Sequence, residues 1–201
     1  ALRDRSIQLK KQPWPSSGFA VRPRLLGRRP DFLSRPPPCT TLTAMRIVFM
    51  GSPALACPSL EGLSAVHDVV AVVTQPDRPQ GRRLRPAASA VKTCAVERGY
   101  AVLTPEHVND PESVGQIAAV EPDLIVVVAF GQILKPALLA MPPHGCINLH
   151  TSLLPAYRGA APIQWAIARG ETETGVTTMF MSAGLDEGDI IAQTTVAIGA
   201  E

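Results

Sequence analysis

Asn148 and His150 stand one residue apart at the end of a β-rich run, Cys146 to His150. Side chains alternate along a strand, so the amide and the imidazole share a face while Ile147 and Leu149 take the other. An amide N–H beside an imidazole suits a carbonyl oxygen that becomes negative during a reaction. The chain continues as Thr151-Ser152-Leu153-Leu154-Pro155 beyond the strand's carboxyl end, where α/β proteins build their sites. Taken alone the Asn-x-His pair is a weak signal, because such pairs more often cap hydrogen-bonded turns.

A second stretch changes the weighing. Gly184-Leu185-Asp186-Glu187-Gly188-Asp189 is an acidic, glycine-punctuated loop between two strand-like runs. It lacks the ligand spacing and flanking helices of an EF-hand. Its bland role is a solvated hairpin; its chemical role is to bring one carboxylate beside the imidazole and orient it. The residues alone leave Asp186 and Asp189 as equal choices. A third stretch, Asp77 to Arg85, carries Asp77, Arg78, Arg82, Arg83 and Arg85, a net of +3. Such runs are usually solvated, and phosphate contact is the alternative.

The elements that must position these groups alternate at short spacing. Strands are expected over residues 46–50, 68–74, 100–103, 123–130, 146–150, 176–181 and 190–196, and helices over 53–66, 87–98, 111–120, 136–141 and 160–169. The run Asp123 to Phe130 is continuously apolar after its first residue, as in a central parallel strand covered on both faces. The pattern predicts an α/β fold: a Rossmann-like, doubly wound, mostly parallel sheet with helices on both faces and working loops at the strands' carboxyl ends. The first turn, Gly51-Ser52-Pro53-Ala54-Leu55-Ala56, has one glycine where a dinucleotide fingerprint needs three, and Pro53 removes a donor. A nicotinamide dehydrogenase is excluded on that ground, and no P-loop is present.

Composition bounds the remainder. The chain has 201 residues, 19 Lys plus Arg, 17 Asp plus Glu, 46% hydrophobic and 4% aromatic residues. A net charge of +2 excludes a highly charged tail protein or a uniformly basic nucleic-acid coat. The few aromatics argue against stacking on bare bases. No apolar run reaches the roughly 20 residues that span a bilayer. The four cysteines are scattered without metal-ligand spacing or a disulfide framework, and Cys57, Cys94 and Cys146 read as buried apolar thiols. A cytoplasmic, monomeric protein with no membrane contact and no metal is expected. Residues 1–44 hold seven Arg and two Lys against two Asp, a net of +7, and seven of the twenty prolines; residues 45–201 carry a net of −5. The first segment shows no helical or strand period and is expected to be disordered. An upstream extension before a start at Met45 is preferred to a transit peptide, whose helix these prolines would break.

Two longer blocks carry a resemblance. Cys146 to Trp165, CINLHTSLLPAYRGAAPIQW, resembles the signature of the folate-dependent formyltransferases, and Gly175 to Asp189, GVTTMFMSAGLDEGD, resembles their second block. Residues 45–201 as a whole are similar to the amino-terminal domain of the methionyl-tRNA formyltransferase family, and Thr74 to Arg82, TQPDRPQGR, is closer to that family's loop than to its relatives' loops.

The resemblance implies a catalytic trio of Asn148, His150 and Asp186. It implies that Ser152, Leu153, Leu154 and Pro155 line the site of the donor, 10-formyltetrahydrofolate. The acceptor would be the α-amino group of initiator methionyl-tRNA, with Arg82 touching the acceptor end. On this reading residues 45–201 form the catalytic domain, incomplete at its carboxyl end and without the family's separate β-barrel. Two alternatives share most of these residues: a formyltransferase acting on a sugar-nucleotide or purine-precursor amine, and a catalytically silent folate- or tRNA-binding fragment.

Overall fold

A computed structural model describes residues 44–80 and 85–199. Residues 1–43, and with them the expectation for the amino-terminal segment, lie outside the described residues, as do Arg82 and Arg83.

The chain opens with β1 (Arg46–Gly51), a 3-10 turn (Ala54–Ala56) and α1 (Cys57–Ser64), then β2 (Asp68–Val73). A short hairpin of β3 (Arg78–Gln80) and β4 (Arg85–Ala87) precedes α2 (Ala90–Glu97). There follow β5 (Val102–Leu103), α3 (Pro111–Ala118), β6 (Leu124–Val128), α4 (Pro136–Leu139), β7 (Cys146–His150), α5 (Pro162–Ala168), β8 (Glu173–Phe180) and β9 (Ile190–Ala197). The main sheet has seven strands in the order β5-β2-β1-β6-β7-β8-β9. Pairing is parallel from β5 to β7 and antiparallel at β7–β8 and β8–β9. The doubly wound, mostly parallel expectation holds.

Helices cover both faces because the central strands β1, β2 and β6 are apolar on both. Ile47, Phe49, Val72, Val126 and Ile147 pack with Leu60 of α1 and Val91 and Ala95 of α2. Val48, Met50, Val73, Ile125 and Val127 pack on the opposite face with Ile117 of α3 and Leu138 of α4. Burying one such Phe or Val side chain contributes about 1.5–3 kcal/mol. Local signals place the helices: Ser89 caps α2 by accepting from Lys92 N at 3.0 Å, and proline stands in the first turns of α1, α3, α4 and α5. The single glycine of the first turn serves packing. A Cβ on Gly51 would sit 2.9 Å from the Val128 carbonyl oxygen, so β1 and β6 approach too closely for a side chain there.

Three features differ from the sequence expectations. The punctuated loop after β2 contains the β3–β4 hairpin, in which Pro79 lies opposite Pro86. The fourth long strand ends at Val128, and Ala129 turns away with φ of +48°. Cys94 and Cys146 are buried as expected, but Cys57 is only half-buried, beside Cys94. Burial pushes the Cys146 thiol up to about 12. Among the described residues, no helix is long and apolar enough to cross a membrane.

Candidate active site

β7 is the last strand of the parallel set. It places Asn148 opposite Val127 of β6 on one side and opposite Met179 of β8 on the other, with His150 opposite Thr177. The alternation expected from the sequence is present: Ile147 and Leu149 pack into the core with α1 and α2, while Asn148 and His150 line a cavity on the other face.

The carboxylate arrives from far along the chain. Asp186 lies in the β8–β9 connection with φ of +51°, a left-handed conformation that costs a non-glycine residue on the order of 1–3 kcal/mol. Its side chain is anchored on arrival. Oδ2 accepts from Gly159 N at 2.8 Å, and Oδ1 accepts from Asn148 Nδ2 at 3.4 Å. Oδ2 also faces His150 Nδ1 across 3.6 Å, and the two side chains are only 7% and 10% exposed for His150 and Asp186. The other ring nitrogen, Nε2, lies 2.8 Å from the Tyr157 carbonyl oxygen. A carbonyl only accepts, so Nε2 carries hydrogen. The Tyr157 phenol turns away and donates to Glu171, which raises it above the ordinary 10.0. Asp189, the other acidic candidate, contributes its backbone carbonyl to Phe180 N at 2.9 Å and does not line the cavity.

The loop must be small at its far end. A Cβ on Gly188 would lie 1.8 Å from the Phe180 carbonyl oxygen, so only glycine lets the acidic loop rejoin β9.

Above the trio is a cavity of about 530 Å³, within the range that holds a small organic molecule. One wall is Ala129, Phe130, Gly131 and Ile133, after β6; Met179 and Met181 of the β8 region and Gly159 to Pro162 complete it. The lining is mostly apolar, with the amide, imidazole and carboxylate converging on it.

The sequence of the same region decides the family: residues 45–201 match the Formyl transferase family. The chain belongs to this family. It is 55% identical over 161 residues to the methionyl-tRNA formyltransferase of Geobacter metallireducens, which covers 80% of this chain and 52% of that protein. It is 56% identical over 161 residues to the methionyl-tRNA formyltransferase of Citrifermentans bemidjiense, with 80% and 51% covered. The chain thus spans about half the length of the relatives it matches. A phosphoribosylglycinamide formyltransferase of Bacillus halodurans has a similar structure, with a TM-score of 0.64 and 26% identity over 78% of this chain and 81% of that one.

Within this formyl transferase domain the loop expected to bind the donor follows directly on Thr151, which lines the cavity. Ser152, Leu153, Leu154 and Pro155 do not line the cavity. Ser152 is fully buried and its Oγ donates to the Ala156 carbonyl at 2.6 Å. Leu154 is buried, its N–H donates to Thr177 Oγ1 at 3.1 Å, and its carbonyl accepts from Gln193 Nε2 at 2.9 Å. Leu153 packs toward Gly175, where an added Cβ would meet Leu153 Cδ2 at 2.5 Å. These groups are spent on fixing the loop against β8 and β9. The cavity wall includes residues 129–134, which sequence reasoning did not single out. The available signal was position: they follow the carboxyl end of a central parallel strand.

The basic loop is only partly described. Arg78 pairs with Glu106 at 2.9 Å and Lys92 pairs with Asp77 at 2.7 Å; both pairs are at or near the surface and worth little in water. A second cavity of about 490 Å³ opens beside this hairpin, lined by Ser52, Pro53, Gln75, Pro76, Arg78 and residues 87–90. Among the described residues, no group of three or more His, Cys, Asp or Glu side chains is placed to hold a metal ion.

Proposed function

We propose that this domain transfers a formyl group from 10-formyltetrahydrofolate to the α-amino group of initiator methionyl-tRNA. The observation that carries the chemistry is the convergence of Asn148, His150 and Asp186, from two distant stretches, on one largely apolar cavity. The choice of substrates is supported by likeness to proteins named methionyl-tRNA formyltransferase. The setting is the cytoplasm, where translation begins.

The neutral amine attacks the formyl carbon. A nitrogen–carbon bond forms and the carbonyl electrons move to oxygen, giving a tetrahedral oxyanion. Asn148 keeps one amide N–H beyond the one directed at Asp186 and gives it to the oxyanion; the His150 Nε2–H, which meets the Tyr157 carbonyl before substrate enters, joins it by exchanging that carbonyl for the oxyanion. Asp186 holds the imidazole and amide in register and helps take the proton from the attacking nitrogen, directly or through water. The oxyanion's electrons re-form the carbonyl, the bond from carbon to the donor nitrogen breaks, and the proton taken from the attacking amine passes to that nitrogen as it leaves. Losing one oxyanion donor costs roughly 10²–10³ in rate. The apolar wall at residues 129–134 suits the donor's flat ring, held by packing and a few polar contacts.

Arg82 and its basic neighbours would meet the phosphates of the tRNA acceptor end, which makes binding salt-dependent. Arg82→Ala should weaken use of charged tRNA far more than folate binding. Equal loss of both would remove that role.

The deciding experiment measures formyl transfer to initiator methionyl-tRNA and, in parallel, to glycinamide ribonucleotide. Product from the tRNA alone supports the proposal. Product from glycinamide ribonucleotide alone would assign a small-amine acceptor, the function named for the Bacillus halodurans neighbour. Folate binding without either product would identify a silent binding fragment.

A further inference from the structure

We propose that Ser52 and Gln75 are positioning residues that clamp the cavity wall at Phe130, with Thr74 acting through Ser52, and so join the donor site to the base of the basic hairpin. This rests on the reading of the larger cavity as the donor site.

The wall begins where the chain leaves the sheet. Ala129 has φ of +48° and Gly131 has φ of +89°, so Phe130 sits between two left-handed residues. Its side chain is buried in the core, which turns its carbonyl toward the first two βα loops. That carbonyl accepts two hydrogen bonds, from Ser52 Oγ at 3.1 Å and from Gln75 Nε2 at 3.1 Å. Both donors come from loops on the far side of the wall, and both line the second cavity. The partition between the cavities is therefore a hydrogen-bonded seam with Phe130 at its centre.

A chain of hydroxyls supports the seam. Each hydroxyl has one hydrogen. Ser52 gives its hydrogen to Phe130, and Thr74 Oγ1 lies 3.5 Å from Ser52 Oγ as its donor. Thr74 and Ser89 hydroxyls are 2.6 Å apart, so the hydrogen between them belongs to Ser89, which in turn accepts from Lys92 N at 3.0 Å. The bonds all run in one direction, from the first turn of α2 to the wall. Thr74 is fully buried, and Gln75 is the residue from which the hairpin departs through Pro76, Asp77 and Arg78. Gln75 N also donates to Ser52 Oγ at 3.3 Å, tying the two clamps together.

The test is equilibrium binding of a non-reactive 10-substituted folate analogue, together with kinetics of formyl transfer. Gln75→Leu and Ser52→Ala should each raise the analogue's Kd by about tenfold, the scale of one lost hydrogen bond. Thr74→Val, acting through Ser52, should raise it by about threefold. Ser52→Thr, which keeps the hydroxyl, should stay within about twofold of the parent. KM for the donor should rise while kcat at saturating donor stays near that of the parent, a split that general loosening of the fold would not give. Unchanged analogue affinity in Gln75→Leu, whose half-buried site tolerates the change if Ser52→Ala fails to fold, would overturn the clamp. So would equal losses in Ser52→Ala and Ser52→Thr, or a fall in kcat without a rise in donor KM. Failure of the parent chain to bind the analogue would overturn the donor-site reading, and the clamp with it.

Discussion

β6 and β9 belong to one sheet and share almost nothing else. Every residue of β6 is buried, between α1 and α2 on one face and α3 and α4 on the other. Every residue of β9 is exposed, including Ile190, Ile191 and Val196. The candidate trio straddles the boundary between these regimes. Asn148 and His150 ride on β7, paired with the buried half, whereas Asp186 comes from the connection that serves the exposed half. The amide and imidazole are held by the core, while the carboxylate is held by a few contacts of its own: the Gly159 and Asn148 hydrogen bonds and a glycine at position 188.

Phe49→Ala, in the buried half, should lower unfolding free energy by about 3–5 kcal/mol in denaturant titration. A loss under about 1 kcal/mol would deny the parallel half its role as the rigid side. Asn148→Ala should reduce formyl transfer by roughly 10²–10³ with little change in stability; wild-type turnover would end its assignment. Gly188→Ala should cost about 1–3 kcal/mol through overpacking against Phe180. It should also displace Asp186, so transfer falls more steeply than stability. A variant with full activity would show that the loop finds another path.

Alkali probes the buried half again. Cys146 ionises near 12 in the fold against an ordinary 9.0, so its burial favours the folded chain below about pH 9 and that contribution is lost as pH rises toward 12. Native Cys146 should resist thiol alkylation at pH 8 and react on unfolding; rapid modification of the native thiol would contradict its burial. The smallest effect belongs to β9. Val196→Ala should change stability by no more than about 0.5 kcal/mol, and a larger loss would mean that this strand is not the marginal one.

Much of this arrangement could be read from residue types. Apolar runs located β1, β2, β6 and β7, and the period of two put Asn148 and His150 on one face. Glycine and proline punctuation located the helices. The direction of β8 and β9 was not legible, because alternation is the same in parallel and antiparallel pairs; it is revealed only through their pairing. The β3–β4 hairpin was hidden by Pro79 and Pro86, which lack the N–H that a ladder uses and argue against a strand. The cavity wall was hidden because Ala129 and Phe130 look like a continuation of the apolar run; it is the backbone turn at Ala129 that ends the strand. The Leu153–Leu154 pair was legible as apolar, but Thr177 and Gln193, distant in sequence, decide which way that loop faces.

Asp186 is tethered twice, by its left-handed backbone and by the Gly159 amide on its carboxylate. A group moored in this way has little freedom to chase a proton. On the proposed chemistry the incoming amine must therefore do the travelling, and the tolerance of the reaction for different acceptors is set by how well each delivers its nitrogen to a fixed point.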